Sequence, residues 1–545
     1  MDIFATAQKI ADESALNSKE KPETPKKSRI ISFLTPSIAS FVFIAVFLSQ
    51  TIQTSGGLLQ DCDTGYHLRA GEYILNTLSI PKYDPFSFLL PALPWIAHEW
   101  LSEVIMNSIY RFSGLTGIVI FFSILISFVY YFLFKMLQLS KANIIIAAIV
   151  IIFAIASSQM HWLARPHIFS MLFILAWYYL LDTFQYNKRR RILYLQIPLM
   201  LLWVNMHAGF IIGFVLNGIY LFGNMVELIA SPIPERNTPE KKAIFIGLIT
   251  AVCLVVSLIN PYGYKILLFP IKLVSEKIIV DNIGEFISPN FHSLWAMPFE
   301  VFLLFTLAVF ASSKRRLNLI EILLLFLFMH MSLFSARYIP LFCIIATPII
   351  VKQLTKVMET SNGKFFSFLT TKGNSFSEID ASGKDFIWPA MTLLIVVLLS
   401  FYGQLKHTFD ADQKPVAASK FLEQEHIQGN MFNMDEFGDY IIYRNYPAYR
   451  VFIDGRIDMY GVKILKEYNK VIGFKSGWEK ILEKYNIKWV IYDSNSPLSR
   501  YLMQNKNWHL IYSDKVASIF LKETTENHQL IQQYRNVELF IDDRS

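Results

Sequence analysis

The sequence predicts an α-helical polytopic membrane protein that ends in an α/β domain outside the membrane. Three observations lead there. Of 545 residues, 53% are hydrophobic and 17% charged, against roughly 25% charged in an average globular chain. Apolar runs near the ~20 residues needed to cross a bilayer recur from residue 30 to 404. After residue 405 the pattern changes to short β-rich runs between amphipathic stretches. With a mean hydropathy of +0.38, the composition excludes a disordered chain, a collagen or an ordinary cytosolic enzyme. Of the three cysteines, Cys253 and Cys343 lie inside apolar runs, which leaves no disulfide framework and no Cys-based zinc site. The net charge of +7 is spread between apolar segments rather than gathered in one stripe, so nucleic acid is not an expected partner.

Residues 1–29 form a polar tail closing on Lys26, Lys27, Ser28 and Arg29, and the apolar run Ile30 to Ile52 follows. That run is too long for a signal-peptide core and has no small-residue cleavage site, so a retained span is expected. Further spans are expected at 116–137, 142–160, 167–185, 192–207, 208–229, 243–260, 294–311, 317–334, 336–352 and 386–404. These make about eleven transmembrane helices within 30–404. Short loops rich in Lys and Arg stay in the cytoplasm. This places the N-terminus, the loop with Lys188 to Arg191 and the loop with Lys314 to Arg316 inside, provided that Ala97 to Ser113 lies on the surface. The outer loops 53–115 and 260–293 and the domain 405–545 then share the extracytoplasmic face of a cell inner membrane. In that domain strands are expected at Met431 to Met434, Arg450 to Ile453, Lys488 to Tyr492, His509 to Tyr512 and Val516 to Leu521. Helices are expected at 415–427, 462–484 and 497–505.

The richest stretch is Asp61-Cys62-Asp63-Thr64-Gly65-Tyr66-His67, just beyond the first span. Two carboxylates one residue apart can jointly hold a divalent cation, Mg or Mn, or one can serve as base while the other tunes it. Equally, Asp61 can cap a helix while Asp63 and His67 face water. A Tyr83-Asp84-Pro85-Phe86 turn follows, then Pro94 to Glu103, where His98 beside Glu99 near lipid calls for a partner or a function. His161, His207 and Glu285 reach the same face, as cavity lining or as satisfied polar residues of a bundle. Tyr262 is expected in an aromatic belt. Asp454 to Asp458 reads as a ligand loop or a solvated turn. There is no phosphate-cradling Gly-rich loop, no Gly-x-Ser-x-Gly elbow and no His-Glu-x-x-His, so nucleotide-driven pumping and serine hydrolysis lose their usual signatures.

The Asp61 to His67 stretch, Asp84-Pro85-Phe86, Pro94 to Trp100, Arg165-Pro166, Trp203-x-Asn205-x-His207, Asn260-Pro261-Tyr262-Gly263, Arg337, Phe452 to Arg456 and the outer tail resemble the GT-C superfamily of integral-membrane glycosyltransferases. They resemble most its bacterial branch related to protein O-mannosyltransferases and to the aminoarabinose transferases of lipid A. The resemblance implies a polyprenyl-phosphate sugar donor and an essential acid in the first outer loop, Asp63 or Asp61. The protein mannosyltransferases carry Asp-Glu where this chain has Asp-x-Asp, which leaves the acid and any metal dependence open. Asp63 is favoured, being nearer His67 in a helical turn. Arg165 and Arg337 are expected to hold the donor phosphate, since a guanidinium contacts two oxygens at once. His98, Glu99, His207 and Glu285 are expected to line the substrate cavity, with Tyr262 in the lipid pocket. The acceptor would be an envelope glycan, lipid or protein. A lipid-linked glycan flippase and a noncatalytic envelope scaffold are the competing classes. Transporters place substrate groups near the midplane, whereas this chain gathers its ionisable groups at one face.

Overall fold

The computed structural model describes residues 35–540 apart from Lys141, Lys188 and Asn362. The polar tail 1–29 and the start of the first expected span lie outside these residues. The membrane region consists of α1 (Ile38–Thr51), α2 (Asp63–Thr77), α3 (Trp100–Leu139), α4 (Ile144–Ser158), α5 (His167–Asn187), α6 (Gln196–Met206), α7 (Ile211–Ala230), α8 (Asn237–Val256), α9 (Lys265–Ser275), α10 (Lys277–Asp281), α11 (Met297–Ser312), α12 (Leu319–Phe334), α13 (Ile339–Thr360), α14 (Lys364–Ser382) and α15 (Ile387–Phe401). Each expected span, as far as it is described, falls on one of them. Five of these helices, α3, α4, α5, α7 and α13, are long and apolar enough to cross a membrane, some with a short 3-10 extension. The shorter α1, α11, α12 and α15 are also apolar, whereas α6 and α8 belong to neither group, so eleven crossings are a proposal.

Caps explain several boundaries. The Asn143 side chain accepts from the N–H groups of Ile145 and Ile146 at the start of α4, and Asn318 with Glu321 forms a capping box on α12. The expected surface helix near 97–113 and the span after it are one helix, α3, broken at Gly114 (φ 60°, ψ −157°). A residue with a Cβ rarely adopts that backbone, so glycine sets where the surface part turns into the apolar part.

The tail comprises α16 (Val416–Glu425), β1 (Asn430–Asn433), α17 (Asp435–Asn445), α18 (Ile457–Ile472), α19 (Glu479–Lys484), β2 (Ile487–Asp493), α20 (Pro497–Gln504), β3 (Trp508–Ser513), β4 (Ala517–Lys522) and α21 (His528–Gln533). The sheet order is β1-β2-β4-β3, parallel between β1 and β2 and antiparallel elsewhere. Four of the five expected strands form this sheet. Arg450 to Ile453 does not join it. Val451 instead makes an isolated bridge to Ser87 of the outer loop, and Asn433 Oδ1 accepts from Phe452 N–H at 2.8 Å. The run is apolar because the outer loop covers it. The expected helix 462–484 is two helices, α18 and α19, and α17 was not foreseen.

Tail and outer loop share one core: Tyr66, Ala70, Phe86, Leu89, Trp95 and Ala97 are buried with the sheet residues. At their junction Arg456 pairs with Asp454 at 2.6 Å and Asp84 at 2.9 Å, both carboxylates being fully buried. Its guanidinium lies 4.6 Å from the Trp95 ring and 4.9 Å from Phe86. The Asp454 loop is therefore a clamp between tail and membrane region. Arg456→Met should leave two buried carboxylates unpaired and cost about 3–5 kcal/mol. A lowered unfolding midpoint and faster proteolytic release of the tail would show it, with exposed Arg500→Met unchanged as control.

Candidate functional site

The turn into α2 presents two carboxylates to one guanidinium. Asp61 Oδ1 accepts from Asp63 N–H at 3.0 Å, which fixes the start of the helix. Its other oxygen takes Arg165 Nη1 at 2.5 Å. Arg165 also pairs with Asp63 and with Glu285. The α4–α5 loop delivers Arg165 because Ala164 is held on both sides, its N–H donating to Leu58 O at 2.8 Å and its carbonyl accepting from Thr64 Oγ1 at 3.1 Å. Glu285 stands on a single 3-10 turn, Gly284–Phe286, whose Glu285 carbonyl accepts from Ser335 Oγ. Arg337 packs over the Phe286 ring at 4.5 Å.

The tail supplies a carboxylate that the sequence reading missed. Asp439, on α17, is buried beside Asp63 and accepts from Gly455 N–H at 3.0 Å and 3.1 Å. A Cβ on Gly455 would lie 2.5 Å from Asp63 Oδ1 and 2.9 Å from Asp439 Oδ2, so only glycine lets the backbone approach both carboxylates. Burial raises the Asp63 carboxyl to about 8 against the opposing pull of Arg165, with Asp61 and Glu285 adding to the rise. Burial, then Asp63 and Asp454, raises Asp439 well above the usual carboxylate range. A hydrogen bond between the two carboxyl groups partly offsets the rise in Asp63. Glu285 behaves oppositely: burial works against its charge, yet Arg165 holds it well below the usual range.

A second group surrounds Glu99. Its oxygens lie 3.8 Å from His67 Nε2, 3.7 Å from His98 Nε2 and 3.5 Å from His207 Nε2. His67 Nδ1 meets Glu103 Oε1 at 3.2 Å. His207 is anchored from behind, its Nδ1 accepting from Gly209 N–H at 2.9 Å and contacting Ser170 Oγ at 2.8 Å. His67, Glu99 and Glu103 bring one ligand atom each within 4.8 Å of the others.

Asp61, Asp63, His98, Glu99, Arg165, His207, Glu285 and Arg337 line one cavity of about 890 Å³. His67 lies beneath it, 2% exposed. Tyr262 does not line it. Its hydroxyl donates to Pro81 O at 2.7 Å and accepts from Ala97 N–H at 2.9 Å, bracing the outer loop. Lys414, Asp439 and Asp458 add polar lining from the tail, and Ile212, Ile271, Val274, Met331 and Leu341 add apolar lining. For Asp439 the usable signal was faint: Asp435-Glu436 reads as a solvated pair, and only the following Tyr440, Ile441 and Ile442 hint that this helix is buried.

No family model matches the chain, and no curated protein matches it. Solved structures do. The archaeal oligosaccharyltransferase AglB from Archaeoglobus fulgidus, in complex with an inhibitory peptide and a dolichol-phosphate, matches with a TM-score of 0.53 at 11% identity, covering 88% of this chain and 71% of that one. The apo form of the Archaeoglobus fulgidus oligosaccharyltransferase matches with a TM-score of 0.55 at 13% identity over 92% and 75% of the two chains. Its complex with Zn and sulfate gives 0.52 at 13% identity over 89% and 72%. The fold, apolar helices leading into a small mixed-sheet tail, is similar to that of these oligosaccharyltransferases.

Proposed function

We propose that the protein transfers a sugar from a polyprenyl-phosphate donor to an acceptor hydroxyl at the outer face of a cell inner membrane, with inversion and with Asp63 as base. One observation carries this reading. Asp63 lines a cavity that has both charged and apolar side chains in its lining, and its proton affinity sits near neutrality, where a general base works best. The apolar lining suits a prenyl chain and the charged lining a phosphosugar. That AglB was solved with a dolichol-phosphate and a peptide supports a lipid-linked donor and an acceptor in this fold.

Asp63 takes the proton of the acceptor hydroxyl as its oxygen bonds to the anomeric carbon, and the bond to phosphate breaks on the opposite side. Polyprenyl phosphate leaves with the electron pair. Arg337, with no carboxylate within ion-pair distance among the described residues, is the group that receives the phosphate. Arg165 is not free for it. It is committed to Asp61, Asp63 and Glu285. Those commitments also leave Asp61 and Asp63 a poor fit for the Mg or Mn expected there, because a guanidinium that never deprotonates already occupies one oxygen of each. Arg165 supplies the positive charge itself. The acceptor is an envelope glycan, lipid or protein, and membrane lipid forms the surround.

Asp63→Asn should lower sugar transfer to a hydroxyl acceptor by roughly 10²–10⁴-fold while the protein stays folded. A flippase would keep moving intact lipid-linked sugar in vesicles, and a scaffold would keep its partners. For the wild type the rate should rise with pH through about 8 and then level off, as Asp63 loses its proton. Asp439→Leu, which removes a hydrogen bond that lowers the Asp63 carboxyl, should move that rise to higher pH. Because the folded state holds this proton more tightly than the unfolded chain, stability should fall as pH climbs from the ordinary carboxylate range to about 8, a trend readable in unfolding midpoints.

A further inference from the structure

The first turn of α13 borders the cavity through Pro340 and Leu341, and its 22 residues carry the chain about 33 Å away from it. That length matches the ~30 Å hydrocarbon core of a bilayer. Helix α14 thus begins at the membrane boundary opposite the cavity, on the connection to apolar α15. One of its edges is fixed to the bundle. Leu369 O accepts from Asn143 Nδ2 at 3.2 Å, Asp380 accepts from Ile38 N–H and Gln138 Nε2 at 2.5 Å each, and a Cβ on Gly373 would overlap the Asn143 side chain. A second side, Phe365, Phe368, Lys372 and Phe376, follows the three- and four-residue spacing that lines up one helix face. Its phenylalanines are 66%, 57% and 48% exposed. A third side, with Ser367, Thr371 and Glu378, is exposed and polar. Lys364 and Lys372 have no carboxylate within ion-pair distance among the described residues, and Lys372 Nζ lies 5.9 Å from the centre of the Phe368 ring.

From this we infer that α14 is an in-plane helix docked on the anionic phospholipid surface of the leaflet away from the cavity. The bilayer is the occupant because apolar helices on both sides of α14 hold it within reach of the headgroups. An amphipathic helix so placed buries its apolar side at the acyl boundary and keeps its polar side in water. The three phenylalanines enter that boundary, and Lys372 reaches back along Phe368 to a lipid phosphate. Lys364, in the first turn, meets a second phosphate, so ammonium and headgroup charges complement each other. Through Asp380 and Asn143 the docked helix is bonded to the starts of α1 and α4, which gives the leaflet a direct hold on the bundle.

The test uses the full-length protein in phosphatidylcholine vesicles, with and without phosphatidylglycerol. All three native cysteines are buried, so Phe376→Cys and Ser367→Cys each offer one site for a nitroxide label. Collisions with oxygen, which concentrates in lipid, should dominate for the label at 376, and collisions with a water-soluble nickel chelate for the label at 367. Phosphatidylglycerol should lower chelate collisions at 376 at least about twofold, and Lys364→Gln with Lys372→Gln should abolish that response. A label at 376 as open to the chelate as the one at 367 would overturn the docking, and a response that survives loss of both lysines would overturn its anionic character. Removal of residues 1–29 that opens position 376 to the chelate would also overturn it, the polar tail then being the cover. Should Phe376→Cys fail to fold, Phe365→Cys on the same side gives the same reading.

Discussion

A carboxylate taken out of water needs a positive charge or a proton, and that requirement organises the part of this molecule around the cavity. Arg165 answers it for three acids drawn from separate parts of the chain, at residues 61, 63 and 285. Asp61 and Asp63 stand at the entry to α2 and Glu285 on the turn before α11, while Arg165 itself comes from the α4–α5 loop. Without a common countercharge nothing would hold their carboxylates in one hollow. Arg456 does the same for the join between tail and outer loop, with aromatic rings rather than solvent around its guanidinium. The charged lining of the cavity is thus a by-product of charge neutralisation, with Asp63 left as an acid whose proton affinity burial raises.

Much of this was legible in the sequence, for a physical reason. Lipid tolerates only long apolar helices, so the segments from 116–137 to 386–404 announced themselves. The acids and histidines of 61–67 and 94–103 stood out because charge is costly at a membrane boundary. Less was legible where burial comes from a distant partner. Val451, Phe452 and Ile453 look like a strand because any covered apolar run does, and no local signal says that a loop from residues 84–89 provides the cover. Asp439 was hidden by the same ambiguity, since a short helix with acids at its start resembles a solvated one. Arg165 was expected at the donor phosphate, and the carboxylates of Asp61, Asp63 and Glu285 that gather on it were not foreseen. A residue's type states what it can bind, while only the fold states what reaches it first.

The likeness to the Archaeoglobus fulgidus oligosaccharyltransferase extends over most of both chains at 11–13% identity. At that distance the arrangement of helices is retained while side chains change freely. A site built on guanidinium–carboxylate pairing is one outcome of that freedom.

The placement of Gly455 against Asp63 and Asp439 has a consequence for biosynthesis. The pair needs residues on both sides of the last apolar helix, one made early and one made late. A half-made chain emerging from the ribosome therefore carries Asp63 without its companion, and the two carboxylates can meet only once α17 has been made.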